Sequence, residues 1–405
     1  MSKTIVAHTQ DDWQVAAWSQ LADRVRRFAA LVLNALMKEE QDRFIGCGHY
    51  ERSPSRRGRR NGYEERWLDT QWGPLRLRVP KVRDSDVPFR PRTLSAYQRR
   101  QGHLERVVVA WVASGMSTRA VSRCLRESFG ALLSPGGVSR VVAKVDRELE
   151  AFRARRLVRG LRYLYLDGKH GKVCVPSGGR GRGCARKAVL LLAWGMGHDG
   201  REGLVDFAVA EGESVEAWDR FLRRLRERGV VEENRWGERL QLVVSDGDGA
   251  LEAALALNYP HTPHQLCVFH KVRNLANHLV DASHRKAITR QAARIFDAPT
   301  RAEAEGRLRR WAERWRVVEP AAVRSLVQDA DRLLVYYRAP CSIRRRVKTT
   351  NPLERFIAEL DRKFERVGVF PSERSWERAT YIVYCELVER GYAPLTRQLV
   401  FTRNT

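Results

Sequence analysis

The sequence predicts an α/β protein in which a mixed sheet carries a helical insertion and follows a mostly helical N-terminal region. Three observations predict it. Up to about residue 150 apolar residues recur mainly at helical spacing, whereas from residue 161 they gather into short strand-like runs separated by turns. Residues 271–349 are then arginine-rich and helical in pattern, with no strand candidate.

Trp13, Ala16, Ala17, Leu21, Val25, Phe28, Val32 and Leu36 give residues 12–38 one apolar helical face. A basic, turn-rich stretch follows, 52–66, with Arg56, Arg57, Arg59, Arg60 and the Asn61-Gly62 pair. After a turn at Gly73-Pro74, Leu75, Leu77 and Val79 alternate with Arg76 and Arg78, so residues 67–83 read as a small hairpin with one basic face. Helical periodicity returns over 98–150. Ser117 is placed to cap one helix, and Ser134 a second with Pro135 at its first position. Val138, Val141, Val142 and Val145 line one face of the second helix, which also carries Arg140 and Lys144. Two short helices about the Gly130 break read either as a helix-turn-helix or as an ordinary helical hairpin.

In the second half, residues 161–166 read as a strand broken at Asp167-Gly168, with further strands at 187–194 and 204–210. Ser214 caps a helix carrying Val215, Trp218, Phe221, Leu222 and Leu225, and Gly229 ends it. A buried-strand run, 240–245, stops at Asp246-Gly247; a short helix near 250–257 and a strand near 265–268 follow. Residues 352–366 and 373–391 read as two closing helices. Three strands, a helix, a strand, a helix and a strand is the order of a ribonuclease H-like fold, in which the first and fourth strands are neighbours. The expected division is an N-terminal region at 1–150, a sheet domain at 160–270 and 350–391, and a helical insertion at 271–349. The Gly-Arg run 178–183 is expected at the tip of the hairpin joining the first two strands.

Charge points to the partner. There are 74 Lys+Arg against 48 Asp+Glu, a formal net charge of +26, which favours a polyanion and above all nucleic acid. No apolar run reaches the roughly 18 residues that span a bilayer, and the N-terminus lacks a signal-peptide core. The seven cysteines are scattered with no Cys-x-x-Cys pair, which argues against a disulfide framework or zinc ribbon and for a reducing compartment. The expectation is a cytoplasmic, nucleoid-associated protein with no membrane partner.

Phosphodiester cleavage needs an activated nucleophile, a stabilised leaving oxygen and neutralised phosphate charge. Two divalent ions about 3.5–4 Å apart meet all three needs, and hard magnesium or manganese ions take carboxylate oxygens. Asp167 is expected at the end of the first strand, Asp246 at the end of the fourth and Glu354 near the start of the closing helix; the intervals are 246 − 167 = 79 and 354 − 246 = 108 residues. Each acid has a plain alternative. Asp167-Gly168 suits a type I′ hairpin turn. Asp246 or Asp248 suits a strand-to-helix cap. Asn351-Pro352-Leu353-Glu354 suits a capping box, with Glu354 reaching back to the Asn351 amide.

Particular blocks carry a resemblance. They are Arg60-Asn61-Gly62-Tyr63, Val79-Pro80-Lys81, Gly115-Met116-Ser117-Thr118-Arg119, Leu164-Tyr165-Leu166-Asp167, and Glu213-Ser214 with Trp218. Leu242 to Gly247, Gln265 to His270 with Arg273-Asn274, and Thr349 to Arg355 continue the series. Over nearly its whole length the chain resembles the Mutator-type DDE transposases of prokaryotic insertion sequences. That resemblance implies a ribonuclease H-like fold, magnesium dependence with two ions (manganese able to substitute), and Asp167, Asp246 and Glu354 as metal ligands. It implies cleavage at the ends of a mobile element and strand transfer into target DNA. Departures are Ile357 where the family usually has asparagine, an extra turn at 232–237, and Asp361 and Glu365 interrupting a basic run.

The resemblance places Cys267 and His270 near the active site. A zinc site would need two more ligands and the spacing offers none, so the pair reads as structural or as orienting a substrate phosphate. Asn351 and Arg355 are further supporting candidates; Arg355 reads either as a phosphate ligand or as a surface arginine. Trp218 reads as core rather than as a base-stacking platform. Expected contacts to double-stranded DNA are Arg59, Arg60, Arg76, Arg78, Arg119, Arg140 and Lys144, and two element ends imply a homodimer or higher oligomer on DNA. The rival readings are a ribonuclease H-like nuclease without strand transfer and a non-catalytic DNA-binding regulator; retention of all three acids disfavours the latter.

Overall fold

The alternation of Leu75, Leu77 and Val79 with Arg76 and Arg78 puts the leucines and valine inside and the arginines outside, and that builds the first piece of the fold. The computed structural model describes residues 10–51, 53–70, 73–94, 102–129, 133–175, 184–197, 200–235, 237–365, 367–391 and 400–402. Two compact units emerge, residues 1–112 with 116–144, and residues 113–115 with 145–405.

In the first unit, α1 (Gln10–Ile45) lays Ala29, Ala30, Leu33 and Met37 on the antiparallel hairpin β1 (Arg59–Thr70) and β2 (Gly73–Arg83), against Leu68, Leu75, Leu77 and Val79. The hairpin is longer than the sequence pattern suggested. Asn61-Gly62 is not a turn: β1 runs through it with a register irregularity between Arg60 and Tyr63, because the ladder to β2 resumes beyond it. Nor is Gly73-Pro74 the turn, since Gly73 already pairs with Thr70; the connection, 71–72, lies outside the described residues. Helices α2 (Gly102–Ala113), α3 (Thr118–Phe129) and α4 (Pro135–Ala154) follow, and Val108, Val121, Leu125, Val138, Val141 and Val142 form a second core. Ser117 and Ser134 do cap α3 and α4, each Oγ accepting a backbone amide at 3.2 Å. The Gly130 break between them lies outside the described residues.

In the second unit, a short pair, β3 (Arg156–Arg159) with β9 (Val400–Thr402), stands apart from a five-stranded mixed sheet. The sheet comprises β4 (Leu161–Val175), β5 (Cys184–Gly197), β6 (Glu202–Ala210), β7 (Leu242–Ser245) and β8 (His264–Leu266), in the order β6-β5-β4-β7-β8. The first three strands are antiparallel; β4 with β7 and β7 with β8 are parallel. The first and fourth strands are thus neighbours, as the element order predicts. Helices α5 (Val215–Glu227) and α6 (Gly249–Asn258) cover one face, packing Trp218, Phe221, Leu222, Leu251 and Leu255 on Leu164, Leu166, Val189 and Leu191. Trp218 is core, 1% exposed. Residues 271–349 contain no strand, only α7 (Val268–Asn274), α8 (Arg285–Ile295), α9 (Arg301–Trp315), α10 (Pro320–Gln328), α11 (Ala330–Leu333), α12 (Cys341–Val347) and 3₁₀ turns. Then α13 (Asn351–Phe364) and α14 (Glu373–Glu389) return to the sheet, Phe356 meeting Trp194 at 5.4 Å between ring centroids. The Gly-Arg run 178–183 lies outside the described residues. Among the described residues no helix is long and apolar enough to cross a membrane.

Asp167-Gly168 is not a strand end, contrary to what its composition suggests. β4 continues through both residues to Val175, pairing Asp167 with Leu192 and Gly168 with Leu191, and Gly168 does not adopt the left-handed backbone a type I′ turn demands. A deeply buried ion set braces the same unit: Asp206, fully buried, accepts from Arg224 at 2.9 Å and lies 2.6 Å from Arg228, which also donates to the Phe152 and Arg155 carbonyls. Arg228→Ala strips one cation from a buried carboxylate and is expected to cost about 3–5 kcal/mol in urea unfolding; a loss under about 1 kcal/mol would show that water reaches Asp206.

Candidate active site

The pairing of β4 with β7 sets the site. Tyr163 pairs with Leu242, Leu164 with Val243 and Tyr165 with Val244, an offset of 242 − 163 = 79. Asp167 and Asp246 are separated by the same 79 residues, so they occupy equivalent positions on adjacent parallel strands, roughly 4.8 Å apart along the sheet. Asp167 sits mid-strand, and Asp246 one residue past the end of β7. Gly247, at φ +88°, turns the chain toward α6. Asp248 is the cap of that helix, its Oδ1 accepting from the Ala250 and Leu251 amides at 2.9 and 3.1 Å. Asp246 is therefore spared the capping role.

A buried clamp holds this turn. Arg332 donates to His264 Nδ1 at 3.2 Å, and since a guanidinium can only donate, the imidazole proton sits on Nε2, 2.8 Å from Ser245 Oγ. Burial and the Arg332 charge push His264 down to about 4, so it stays neutral and keeps that tautomer.

Glu354 does not form the capping box with Asn351. Helix α13 already includes Asn351, and the Glu354 Oε1 instead accepts the Thr350 hydroxyl at 2.6 Å and lies 3.6 Å from His270 Nε2. The structure thus brings Cys267 and His270 to the third acid; Thr350 N donates to the Cys267 sulfur at 3.4 Å. Burial lowers the His270 pKa, with the Glu354 charge working the other way. Asn351 is exposed in the first turn of α13. Arg355 leans on Glu202 at 3.5 Å, an acid that Arg346 also holds at 2.8 Å.

The three acids feel one another. Burial pushes Asp167 up to about 7, and the charges of Asp246, Glu354 and Glu213 add to it, while the Gly168 amide donating at 2.8 Å partly offsets them. Glu213 is a site residue that the sequence reading missed. It lies between β6 and α5, just before the Ser214 cap, and an alanine methyl at Gly168 would fall 1.9 Å from its Oε1. Burial raises its pKa as well, opposed by His170 at 3.7 Å and reinforced by Asp248 and Asp246. Its sequence signal was the Glu213-Ser214 pair, which read as a landmark and a helix start. Thr350 had no signal beyond its place before Asn351. Asp361, one of the departures in the closing helix, has a physical partner: it binds Lys169, two residues beyond Asp167.

In the first unit Arg59, Arg76, Arg78, Arg119, Arg140 and Lys144 are exposed, as DNA contacts require; Arg60 is not. Its guanidinium donates to Asp42 and to the Cys47 carbonyl, both at 2.6 Å, and its side chain is only 17% exposed. Arg60 is a brace between α1 and β1. Arg76 is bound by Glu65, and Arg78 lies over the Tyr63 ring at 4.5 Å.

Comparison with known proteins places these features. The family model described as "Transposase, Mutator family" matches residues 2–391. The chain is 32% identical over 359 residues to the transposase for insertion sequence element IS406 of Burkholderia multivorans, covering 88% of each. It is 31% identical over 353 residues to that for ISRM5 of Rhizobium meliloti, covering 87% of this chain and 85% of that one. Against the transposase for IS256 in transposon Tn4001 of Staphylococcus aureus it is 27% identical, with 92% of each chain covered.

Proposed function

The chain belongs to the Mutator family of transposases, and from that membership we propose that it cuts DNA at the ends of a mobile element and joins them to target DNA, with Asp167, Asp246 and Glu354 as its catalytic metal ligands. The observation that carries this reading is the shared offset of 79 residues between strand register and acid spacing, which sets two carboxylates side by side. The sheet order, with helices on the flanks, supports a ribonuclease H-like fold.

The donor set fits a hard divalent cation. Buried carboxylates that raise one another's cost of ionising are relieved by a cation, and oxygen donors suit magnesium, with manganese able to replace it. Bound there, two such ions would neutralise phosphate charge and stabilise the attacking and leaving oxygens. The chain's own residues do the positioning. His264 and Ser245 fix the turn that carries Asp246; Thr350 fixes one oxygen of Glu354; Gly168 leaves room for Glu213 beside Asp167. Hydrolysis of one strand frees a 3′-hydroxyl, and attack of that hydroxyl on target DNA is an in-line displacement of the same kind, so one constellation serves both. The exposed arginines of the hairpin and of α3 and α4 supply phosphate contacts to double-stranded DNA, and two element ends call for at least a dimer.

The test uses the full chain, manganese and a labelled duplex carrying the DNA that flanks its own gene, beside Asp246→Asn. Nicked and joined products are expected from the wild type and a loss of at least about a thousandfold in the variant, about 4 kcal/mol of barrier. Nicking without joining would make it a nuclease; tight DNA binding with both proteins inert would make it a regulator.

A further inference from the structure

Cys267, His270 and Glu354 offer a sulfur, an imidazole nitrogen and a carboxylate oxygen within 4.8 Å of one another. We propose that they form a second metal site, for a borderline divalent ion such as zinc, chemically unlike the all-carboxylate set although it shares Glu354 with it. Magnesium avoids thiolate and imidazole, whereas zinc and cobalt accept sulfur, nitrogen and oxygen together. Ligand atoms around a tetrahedral zinc, at about 2.0–2.3 Å from it, lie roughly 3.5 Å apart. Closure by about 1 Å is within reach of the Glu354 and His270 side-chain torsions.

Two further features mark the site. The Cys267 sulfur, in a residue 1% exposed, accepts the Thr350 amide at 3.4 Å, the kind of outer donor that steadies a bound thiolate. His270 is mostly buried, its Nε2 faces Glu354, and its Nδ1 has no hydrogen-bond partner among the described residues, a deficit that coordination or the ring rotation accompanying it removes. Binding releases the thiol proton to solvent as the metal–sulfur bond forms. Cys-x-x-His supplies two ligands from one turn, while the third comes from 354 − 270 = 84 residues downstream, so spacing alone does not disclose the set. An ion here draws Glu354 away from Asp167 and Asp246. The site itself stands on its three side chains; only that competition rests on the cleavage reading.

Cobalt titration of the full-length protein, read as thiolate-to-cobalt charge-transfer absorption, tests it without DNA or turnover. The expected band saturates at one cobalt per chain, is displaced by zinc, disappears in Cys267→Ser and persists in Cys184→Ser and Cys341→Ser, which remove exposed thiols. His270→Ala is expected to weaken cobalt binding about tenfold or more, and it carries the test should Cys267→Ser fold poorly. A wild type without the band, a band surviving in Cys267→Ser, or undiminished affinity in folded His270→Ala overturns the site. None of these outcomes bears on strand joining, so the cleavage reading fails or stands separately.

Discussion

Asp167→Asn is expected to abolish strand cleavage and, in the metal-free protein, to raise stability at pH 8 while leaving it nearly unchanged at pH 4. Burial pushes the Asp167 carboxyl up to about 7, with Asp246, Glu354 and Glu213 adding to it. In the unfolded chain it titrates near its ordinary value of about 3.9. A folded pKa above the unfolded one means the fold prefers the neutral acid. Its contribution is fully present below about pH 4 and is lost as pH rises through about 7. Asparagine keeps the shape and cannot ionise, so the variant escapes that loss. Titration about three pH units higher in the folded chain than in the unfolded one corresponds to at most about 4 kcal/mol, and solvent relaxation reduces the effect to roughly half. Magnesium reverses the ordering, because it binds the ionised carboxylate and displaces its proton. Thermal unfolding of both proteins from pH 4 to 8, with and without magnesium, checks the sign. A metal-free variant less stable than wild type at pH 8 would show that the acid is satisfied by the fold itself.

Gly168→Ala carries the second large effect, and it separates function from stability. The added methyl would fall 1.9 Å from Glu213 Oε1, and 3.1 Å from a Val189 methyl. The carboxylate is the mobile end of a side chain and can swing away, so the fold loses little, about 1 kcal/mol or less. Glu213 leaves its place beside Asp167, however, and magnesium affinity and cleavage are expected to fall about 10- to 100-fold. Glu213→Gln should reproduce that loss. Full activity in both variants would remove Glu213 from the site; unfolding of Gly168→Ala would show that β4 has no slack against β5.

The elements that the sequence determined are those whose signal is local. The alternation in β2, the Ser117, Ser134 and Ser214 caps, the continuous apolar runs of β5 and β7, and the strandless helical stretch each follow from period and capping chemistry. All three acids were legible, as was the neighbouring placement of first and fourth strands. What the sequence left open was decided by contacts between distant residues. Asp167-Gly168 has the composition of a turn, yet the ladder to β5 carries the strand through it, and the glycine serves the approach of Glu213 from 45 residues away (213 − 168). Arg60 belongs to a basic run, but a carboxylate on α1 claims it. Glu354 suits a capping box by spacing, yet Thr350 and His270 hold its carboxylate. A local pattern records what the backbone can do at each step; which carboxylate meets which cation, hydroxyl or glycine depends on chain segments that only folding brings within 4 Å, and there the tertiary structure decided.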